Sequence, residues 1–360
     1  FSVAGMDFDT IEKSLDTKNI RYSDSIQLKE KEFRLLEVSK RVNALDSVRK
    51  LSASDNTKEI SDFFGRKPSI NGKRLINFTF SFNPYNELKT IEELDPFYKY
   101  YWEYSDLFLF VPNVKRSKTS LVTKKKEIII GVEDYIRFVD ESYTLLNGRN
   151  HKPIFVPISP RWSITDLRTL LDHYIKKEYF YLWFDFDGQA VNEISSARIK
   201  YILDQIEKRG YFDKIVCYGT NVKREIISNS SSPSSPASDS LASLVGANIV
   251  GVDREPMKFP AKGVTPSIFV EHKARIFDPN TYYYNKTDRT DLKSKGANTI
   301  HNSIKLAKEF IAQGNYLLDN GDLSGLLGSK KMLNEYKDGL ILRALKSRDR
   351  LKQKSIDEWY

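Results

Sequence analysis

Two pairs of carboxylates follow apolar runs that have the composition of buried strands. Asp185 and Asp187 end the run YFYLWFDFDG, and Asp253 and Glu255 follow the run NIVGV. In a barrel of parallel strands, reactive side chains converge at the carboxyl ends of the strands. Two carboxylates brought together there can act as nucleophile and as general acid or base. Asp is also common in helix caps and solvated loops, and for each residue alone this structural interpretation is the simpler one.

The sequence lacks the motifs of several other kinds of site. It has no G-x-x-x-x-G-K-S/T or G-x-G-x-x-G phosphate loop, no H-E-x-x-H and no nucleophile elbow. A single cysteine, Cys217, excludes an intramolecular disulfide and a Cys-based zinc cluster, and its place in KIVCY predicts a buried strand residue. The four histidines are scattered, with no pair at metal-ligand spacing: His151, His173, His272 and His301. The sequence therefore predicts no metal and no cofactor.

Short apolar runs alternate with helical patterns along most of the chain. The strand candidates are RLINFTFSF (74–82), DLFLFV (106–111), PIFVPI (153–158), YFYLWFDF (179–186), KIVCY (214–218) and NIVGV (248–252). Helix candidates lie near 132–146, 163–176, 192–209 and 237–245. This repeat is typical of α/β proteins with a parallel sheet. Right-handed crossovers allow an open doubly wound sheet or a barrel, and the number of repeats favours a (β/α)8 TIM-like barrel.

The segments around this repeat have their own patterns. Leu28, Leu35, Val38, Val42 and Leu45 recur at helical spacing, which predicts a helical extension over residues 1–64. Residues 65–360 would then form the barrel and a C-terminal helical subdomain, with helices at 299–313 and from about residue 330. The Ser-rich stretch 228–240 lies on a βα loop of the predicted barrel, and its composition predicts a flexible insertion.

The charge balance suits an anionic partner. The chain of 360 residues carries 57 Lys and Arg against 48 Asp and Glu, a net charge of +9. Between residues 330 and 354 there are nine basic and three acidic residues. A basic helix there could contact an RNA backbone through Lys346, Arg348 and Arg350, or it could present a solvated face. The chain shows no apolar run of about 18 residues and no signal peptide, so we expect a cytoplasmic protein with no membrane contact.

The order of segments in the second half resembles the tRNA-guanine transglycosylases, especially the archaeal type. The matching segments are NIVGVDREP, then VTPSIFVEHKARIFDPNTYYY with Thr265-Pro266, then IHNSIKLAKEFIAQGNYLL. Upstream, PIFVPIS, YFYLWFDFDG and KIVCYGTN follow the order of that family's later barrel strands. The resemblance covers about residues 100–350. It implies a (β/α)8 barrel, a tRNA partner and chemistry on 7-deazaguanine bases.

The chain departs from that family at the residues that carry its chemistry. The family's Cys-x-Cys-x-x-Cys zinc motif is replaced by IFDPNTYYY, so only His301 remains and Tyr282–Tyr284 are expected to fill the space with apolar contacts. Asp253 lies about two positions from the family's nucleophile. The family's second aspartate is missing, with Asn83 or Asn113 in the corresponding region, and its base-reading glutamine is absent from FVPISP.

Three functional hypotheses follow. The first is a transglycosylase-like protein of tRNA 7-deazaguanine modification, acting as a non-catalytic RNA-binding paralogue or as a subunit beside a complete transglycosylase. The second is an active, divergent base-exchange enzyme in which Asp253 is the nucleophile and Asp187 transfers the proton. The third is an unrelated βα-barrel enzyme whose resemblance is accidental.

Overall fold

Eight parallel strands pair in chain order and close into a ring. The chain is seen in a computed structural model that describes residues 2–8, 10–21, 24, 33–54, 56–65, 70–119, 126–149, 152–227, 232–254 and 274–335. Each barrel strand pairs in parallel with the next. The eighth pairs with the first, Ile249 opposite Glu12 and Val250 opposite Lys13. The predicted barrel is therefore confirmed, because an open doubly wound sheet would leave two edges unpaired.

The barrel strands are β1 (Glu12–Lys13 and Leu15–Asp16), β2 (Leu35–Val42), β3 (Lys73–Phe80), β4 (Leu109–Phe110 and Asn113–Val114), β5 (Ile154–Ile158), β6 (Tyr181–Asp185), β7 (Val216–Thr220) and β8 (Ile249–Val250). Past the ring, Val222–Lys223 pairs with Asp253–Arg254, so β7 and β8 are prolonged at their carboxyl ends. All six predicted strands are present.

The helices are α1 (Leu45–Ser52), α2 (Thr57–Phe64), α3 (Asp95–Tyr104), α4 (Val132–Asn147), α5 (Ile164–Lys176), α6 (Glu193–Glu207), α7 (Lys295–Asn320), α8 (Ser324–Gly328) and α9 (Lys331–Glu335). Their starts follow local chemistry, since Ser163 caps α5 and Asn192 and Ser195 form a capping box on α6. The predicted helix at 237–245 is instead two 3-10 turns, Asp239–Leu241 and Ser243–Val245. No helix in the described ranges is long and apolar enough to cross a membrane.

The barrel interior changes from apolar to polar along the strands. Buried side chains such as Leu35, Leu75, Phe155 and Trp183 form one apolar cluster, which also includes Val3 and Phe8 beside the N-terminal hairpin Ser2–Val3/Met6–Asp7. Because Val3 packs in one cluster with Leu35 and Val216, the first residues of β2 and β7, the hairpin covers the amino end of the barrel.

Above this layer lies a fully buried carboxyl group on β2. Glu37 accepts hydrogen bonds from Ser14 Oγ at 2.6 Å, from the backbone N–H of Val252 at 3.0 Å, and from Asn77 and Tyr218. Burial raises the pKa of Glu37. Polar groups from five strands or strand ends thus meet in the middle of the barrel. They lie between the apolar layer at the amino end and the polar residues at the carboxyl end.

The prediction of a helix across residues 28–45 is wrong where the structure describes it. Leu35–Val42 is β2, and it pairs with β3 along its whole length. The first residues of this strand are all buried, so the alternation typical of half-exposed strands is missing and the spacing resembles that of a helix. The described residues of the segment 1–64 therefore contribute two barrel strands, α1 and α2, in place of the predicted helical extension. Leu28 lies outside the described residues.

The C-terminal region combines helices with a small antiparallel sheet. The helix predicted at 299–313 is α7, and the one predicted from about residue 330 begins as α9. Lys346, Arg348 and Arg350 lie outside the described residues. The hairpin of Ala274–Asp278 and Tyr283–Thr287 takes Ser234–Pro236 as a third strand.

The flexible insertion predicted at 228–240 is wrong for residues 232–240. Ser235, Ser238, Asp239 and Ser240 are buried. Their small side chains allow close packing, and their hydroxyl groups have partners, as when Ser240 Oγ donates to the carbonyl of Ala237 at 2.8 Å. A Ser-rich composition therefore forms an ordered segment here, which we call the serine segment (residues 232–245).

Tyrosine rings pack in the segment IFDPNTYYY, as expected from the sequence. Tyr282 and Tyr284 pack against Phe277 with ring centroids 6.0 and 5.7 Å away. Their hydroxyl groups also donate to buried carboxylates, at 2.6 Å to Glu309 and 2.6 Å to Asp239. The predicted apolar contacts are thus only part of the packing. Among the described residues, no group of three or more His, Cys, Asp or Glu is arranged to hold a metal ion.

Candidate functional site

Asp185, the last residue of β6, organises the carboxyl end of the barrel. Its side chain is fully buried and accepts four hydrogen bonds. Thr79 Oγ1 donates at 3.0 Å, Asn113 Nδ2 at 2.8 Å, Asn221 Nδ2 at 2.9 Å and the backbone N–H of Asp187 at 2.8 Å. With both oxygens satisfied by groups from several strand ends, Asp185 is a structural anchor that fixes the loop after β6.

Asp187, two residues later, is surrounded by cations. Arg41 Nη2 lies 2.7 Å from Oδ1, Lys115 Nζ lies 2.9 Å from Oδ1, and Arg161 Nε lies 3.3 Å from Oδ2. The cations come from the end of β2, from after β4 and from after β5. The Asp187 side chain is only 5% exposed. Three separate βα connections therefore meet on one carboxylate.

The backbone turns sharply to place Asp187. Its φ is 47°, and that of Gly188 is 76°. A Cβ atom at Gly188 would lie 3.3 Å from Cδ of Arg254, so glycine suits both the conformation and the close approach. The N–H of Gly188 donates to the carbonyl of Asn221 at 2.7 Å, which ties the turn to the end of β7.

A fourth cation joins from the end of β8. Arg254 Nε donates to Asn221 Oδ1 at 3.0 Å, and Ser39 Oγ donates to the same oxygen at 3.1 Å. Burial lowers the pKa of Arg41, and the nearby charge of Arg254 lowers it further. Burial also lowers the pKa of Lys115, against the opposing effect of Asp187. We call Arg41, Lys115, Arg161 and Arg254 the cation cluster.

Asp253 lies in a different group, at the junction of β8 and β1. Its Oδ2 is 3.3 Å from Lys13 Nζ, and Lys13 also donates to the carbonyl of Gly251. Asp239 of the serine segment lies beside the end of β8, because the carbonyl of Arg224 accepts from the N–H of Asp239 at 3.3 Å and the N–H of Arg224 donates to the carbonyl of Arg254 at 2.8 Å. Burial raises the pKa of Asp239 well above its ordinary value, and the charge of Asp253 raises it further. We call Asp239 and Asp253 the acid pair.

The structure thus places Asp187 and Asp253, the predicted catalytic residues, in separate surroundings. Asp187 contacts the cation cluster, whereas Asp253 contacts Lys13 and Asp239, and the two share no ion pair within the described ranges. We call the carboxyl end of the barrel around Asp185 and Asp187 the mouth. Asn113 belongs to it through its bond to Asp185, whereas Asn83 caps a short 3-10 turn. Glu255 lies outside the described residues. Catalytic roles for Asp187 and Asp253 stay predictions.

Sequence reasoning missed the cation cluster and two residues beside Asp253. Arg41, Lys115 and Arg161 were not selected, and neither were Lys13 and Asp239. A signal was present for the cations, since each of the three lies within three residues of the last residue of a strand, as Asp187 does. Basic residues at such positions are hard to distinguish from solvated loop residues until the ring is known to close.

The amino end of α7 is already occupied by a carboxylate of the chain. Ser294, the N-cap, donates to Asp24 Oδ1 at 2.6 Å. A Cβ atom at Gly296 would collide with the same carboxylate. Helix N-termini near the last strands are frequent phosphate sites in barrels. Here an internal anion fills that position, and the cation cluster is where unbalanced positive charge remains.

No family model and no curated protein matches the chain. Solved structures with a similar arrangement include a glucosidase from Croceicoccus marinus, with a TM-score of 0.41, 9% identity, and coverage of 70% of this chain and 62% of that one. A GH26 beta-mannanase from Bacteroides ovatus has a TM-score of 0.35 and 10% identity, over 68% of this chain and 80% of that one. A mutant flavocytochrome b2 with pyruvate bound has a TM-score of 0.41 and 14% identity, over 96% and 73%. Such low similarity does not extend to function, and none of the three is a transglycosylase.

Proposed function

We propose that the carboxyl end of the barrel binds a phosphate-bearing ligand through the cation cluster. The observation that carries this proposal is the convergence of Arg41, Lys115 and Arg161 on the single carboxylate of Asp187. Arg254 adds a fourth positive charge nearby. Together with Asp185, two carboxylates face four cations among the described residues, which gives an excess of two positive charges there.

An excess of positive charge in a partly buried site favours an incoming anion. Moving cations out of water is costly unless they are paired, and like charges held together repel. Asp187 compensates part of this charge, and a dianionic group would compensate the rest. Phosphate has the matching charge and several acceptor oxygens, and guanidinium groups bind it with paired hydrogen bonds.

The position in the fold agrees with this proposal. The contributing groups come from the ends of β2, β4, β5, β6 and β8, and ligands of barrel proteins bind at this face. Asp185 and Asn221 hold the loops after β6 and β8 through hydrogen bonds of 2.8 to 3.0 Å. The cations are therefore positioned before the ligand arrives, which reduces the entropy cost of binding.

Calorimetric titration tests this proposal with ribose 5-phosphate and with ribose as its uncharged match. We expect the phosphate ester alone to bind. The variant Arg41→Ala/Lys115→Ala should weaken binding by at least about tenfold, since each charge-assisted hydrogen bond is worth roughly 1.5–3 kcal/mol. The matched control is Arg289→Ala/Lys331→Ala, which removes the same charges from exposed pairs. Equal affinity of both double variants and the unaltered protein would contradict the proposal.

A second candidate places the phosphate in an RNA backbone. The net charge of +9 favours it, and it is the function implied by the resemblance to tRNA-guanine transglycosylases. In this version the chain is a non-catalytic RNA-binding paralogue or subunit. Binding of a single-stranded RNA oligomer should weaken steeply with salt, and Arg41→Ala/Lys115→Ala should flatten that dependence. Binding of ribose 5-phosphate without any RNA binding would favour a small-molecule ligand instead.

The active base-exchange alternative has a separate test. In the subunit version, the chain alone incorporates no radiolabelled guanine into tRNA. If it does, replacing the nucleophile by Asp253→Asn should lower the rate by several orders of magnitude, because the amide cannot attack the ribose. Undiminished exchange by the Asn variant would place the chemistry on other residues.

A further inference from the structure

The acid pair contains two buried oxygens for which no donor is visible. Oδ1 of Asp239 and Oδ1 of Asp253 are both inaccessible to solvent and have no hydrogen-bond partner in the described part of the chain. Asp239 itself is fully buried, and the backbone of Arg224 is hydrogen-bonded both to Asp239 and to Arg254, the residue next to Asp253. Two ionised carboxylates would repel in this position, whereas one proton between them satisfies both oxygens.

Only one cation of the described residues lies close to the acid pair, so the surroundings neutralise only one of its two negative charges. Lys13 Nζ lies 3.3 Å from Asp253 Oδ2. Arg224 also acts on both carboxyl groups, but it forms an ion pair with the buried Glu225. Two further groups act on the pair. The hydroxyl group of Tyr284 donates to Asp239 Oδ2 at 2.6 Å, and the negative charge of Asp16 repels that of Asp253.

We propose that Asp239 and Asp253 share a single proton, and that this proton fastens the serine segment to the end of β8. Asp239 holds the proton and donates it to Asp253, which stays paired with Lys13. Loss of the proton leaves two adjacent buried carboxylates, and their repulsion loosens the serine segment. The chain thereby contains a pH-sensitive latch beside the mouth of the barrel.

The direction of the pH effect follows from the raised pKa of Asp239. Its ordinary value is 3.8, so the unfolded chain releases this proton near pH 4, whereas the folded chain keeps it to higher pH. Stability from the pair is therefore complete below about pH 4 and is lost as pH rises through the folded-state pKa. Between these values, unfolding releases the shared proton.

The first test measures the protons released when urea unfolds the protein at pH 6. We expect the unaltered protein to release about one proton more than Asp239→Asn, because the Asn amide and Lys13 then both stabilise the ionised carboxyl of Asp253. Comparing variants cancels the contribution of other buried acids such as Glu37. The control Asp172→Asn, at an exposed ion pair, should release as many protons as the unaltered protein. Equal release by all three proteins would overturn the proposal.

The second test follows the latch in the folded protein by amide hydrogen exchange of residues 232–245. The amide of Asp239→Asn supplies a permanent donor, so its segment should stay protected as pH rises. In the unaltered protein, exchange relative to this variant at the same pH should accelerate severalfold above the folded-state pKa of the pair. A constant ratio of exchange rates from pH 5 to pH 9 would show that no proton fastens the segment.

Discussion

The mouth around Asp187 and the acid pair around Asp253 neutralise buried carboxylates in opposite ways. At the mouth, cations outnumber carboxylates, and the cations come from loops that lie far apart in the chain. At the acid pair, carboxyl groups outnumber the one close cation, Lys13, and the balance is restored by a proton. The difference indicates that the mouth is completed by an external anion, whereas the acid pair is complete within the chain.

The largest effect should come from removing the carboxylate of the mouth. Asp187→Ala leaves Arg41, Lys115 and Arg161 together without their counter-ion, and we expect the free energy of unfolding to fall by about 3 kcal/mol. The control Asp134→Ala breaks an exposed pair with Arg137 and should change it by less than about 0.5 kcal/mol. Urea unfolding measures both. A loss below about 1 kcal/mol for Asp187→Ala would mean that the cations do not depend on it.

A smaller effect, dependent on pH, should come from removing the cation of the acid pair. Lys13 lowers the pKa of Asp253, which burial otherwise raises. In Lys13→Met that carboxyl takes up a proton at higher pH, so the loss of stability should be about 2 kcal/mol at pH 8 and clearly less at pH 5. Unfolding curves at the two pH values give the comparison. A loss that is larger at pH 5 would reverse the assignment of charges.

The smallest expected effect is the stabilisation of the folded state by a bound ligand, which should depend on the mouth and not on the acid pair. At a phosphate ester concentration ten times the dissociation constant, binding stabilises the folded state by about 1.4 kcal/mol, which corresponds to a rise in melting temperature of roughly 2 °C. Lys13→Met should keep this rise, because Lys13 does not contact the mouth, whereas Arg41→Ala should lose most of it. Thermal melts with and without ribose 5-phosphate provide the measurement. If both variants lose the rise, the two regions are not independent.

The local sequence pattern was sufficient to predict a strand wherever that strand had an unbroken apolar run. Strands β3 to β8 were predicted because their residues are β-branched or aromatic and buried on both faces. β1 was missed because its polar and apolar residues give no run, and β2 because its spacing imitates a helix. β1 closes the ring with β8 and β2 pairs with β1, so the prediction of a barrel was correct although two of its strands were not recognised.

The candidate site was predictable only in its location. Asp187 and Asp253 were selected because each follows a strand, and both lie at the carboxyl end of the barrel. Their partners were not predictable, since Arg41 is 146 residues from Asp187 and Lys13 is 240 residues from Asp253. The serine segment shows the same limit, because low-complexity composition does not reveal that Ser235 and Asp239 are buried.

The sequence by itself determined the α/β class, the order of the later strands and the polar residues at their ends, because burial and turn chemistry are written in short stretches of residues. The tertiary structure alone decided which charges meet. Closing the ring brings cations from the ends of three strands onto Asp187, and the pairing of β8 with β1 sets Asp253 against Lys13. Electrostatic energy depends on distance in space, and the separation of residues along the chain does not encode it.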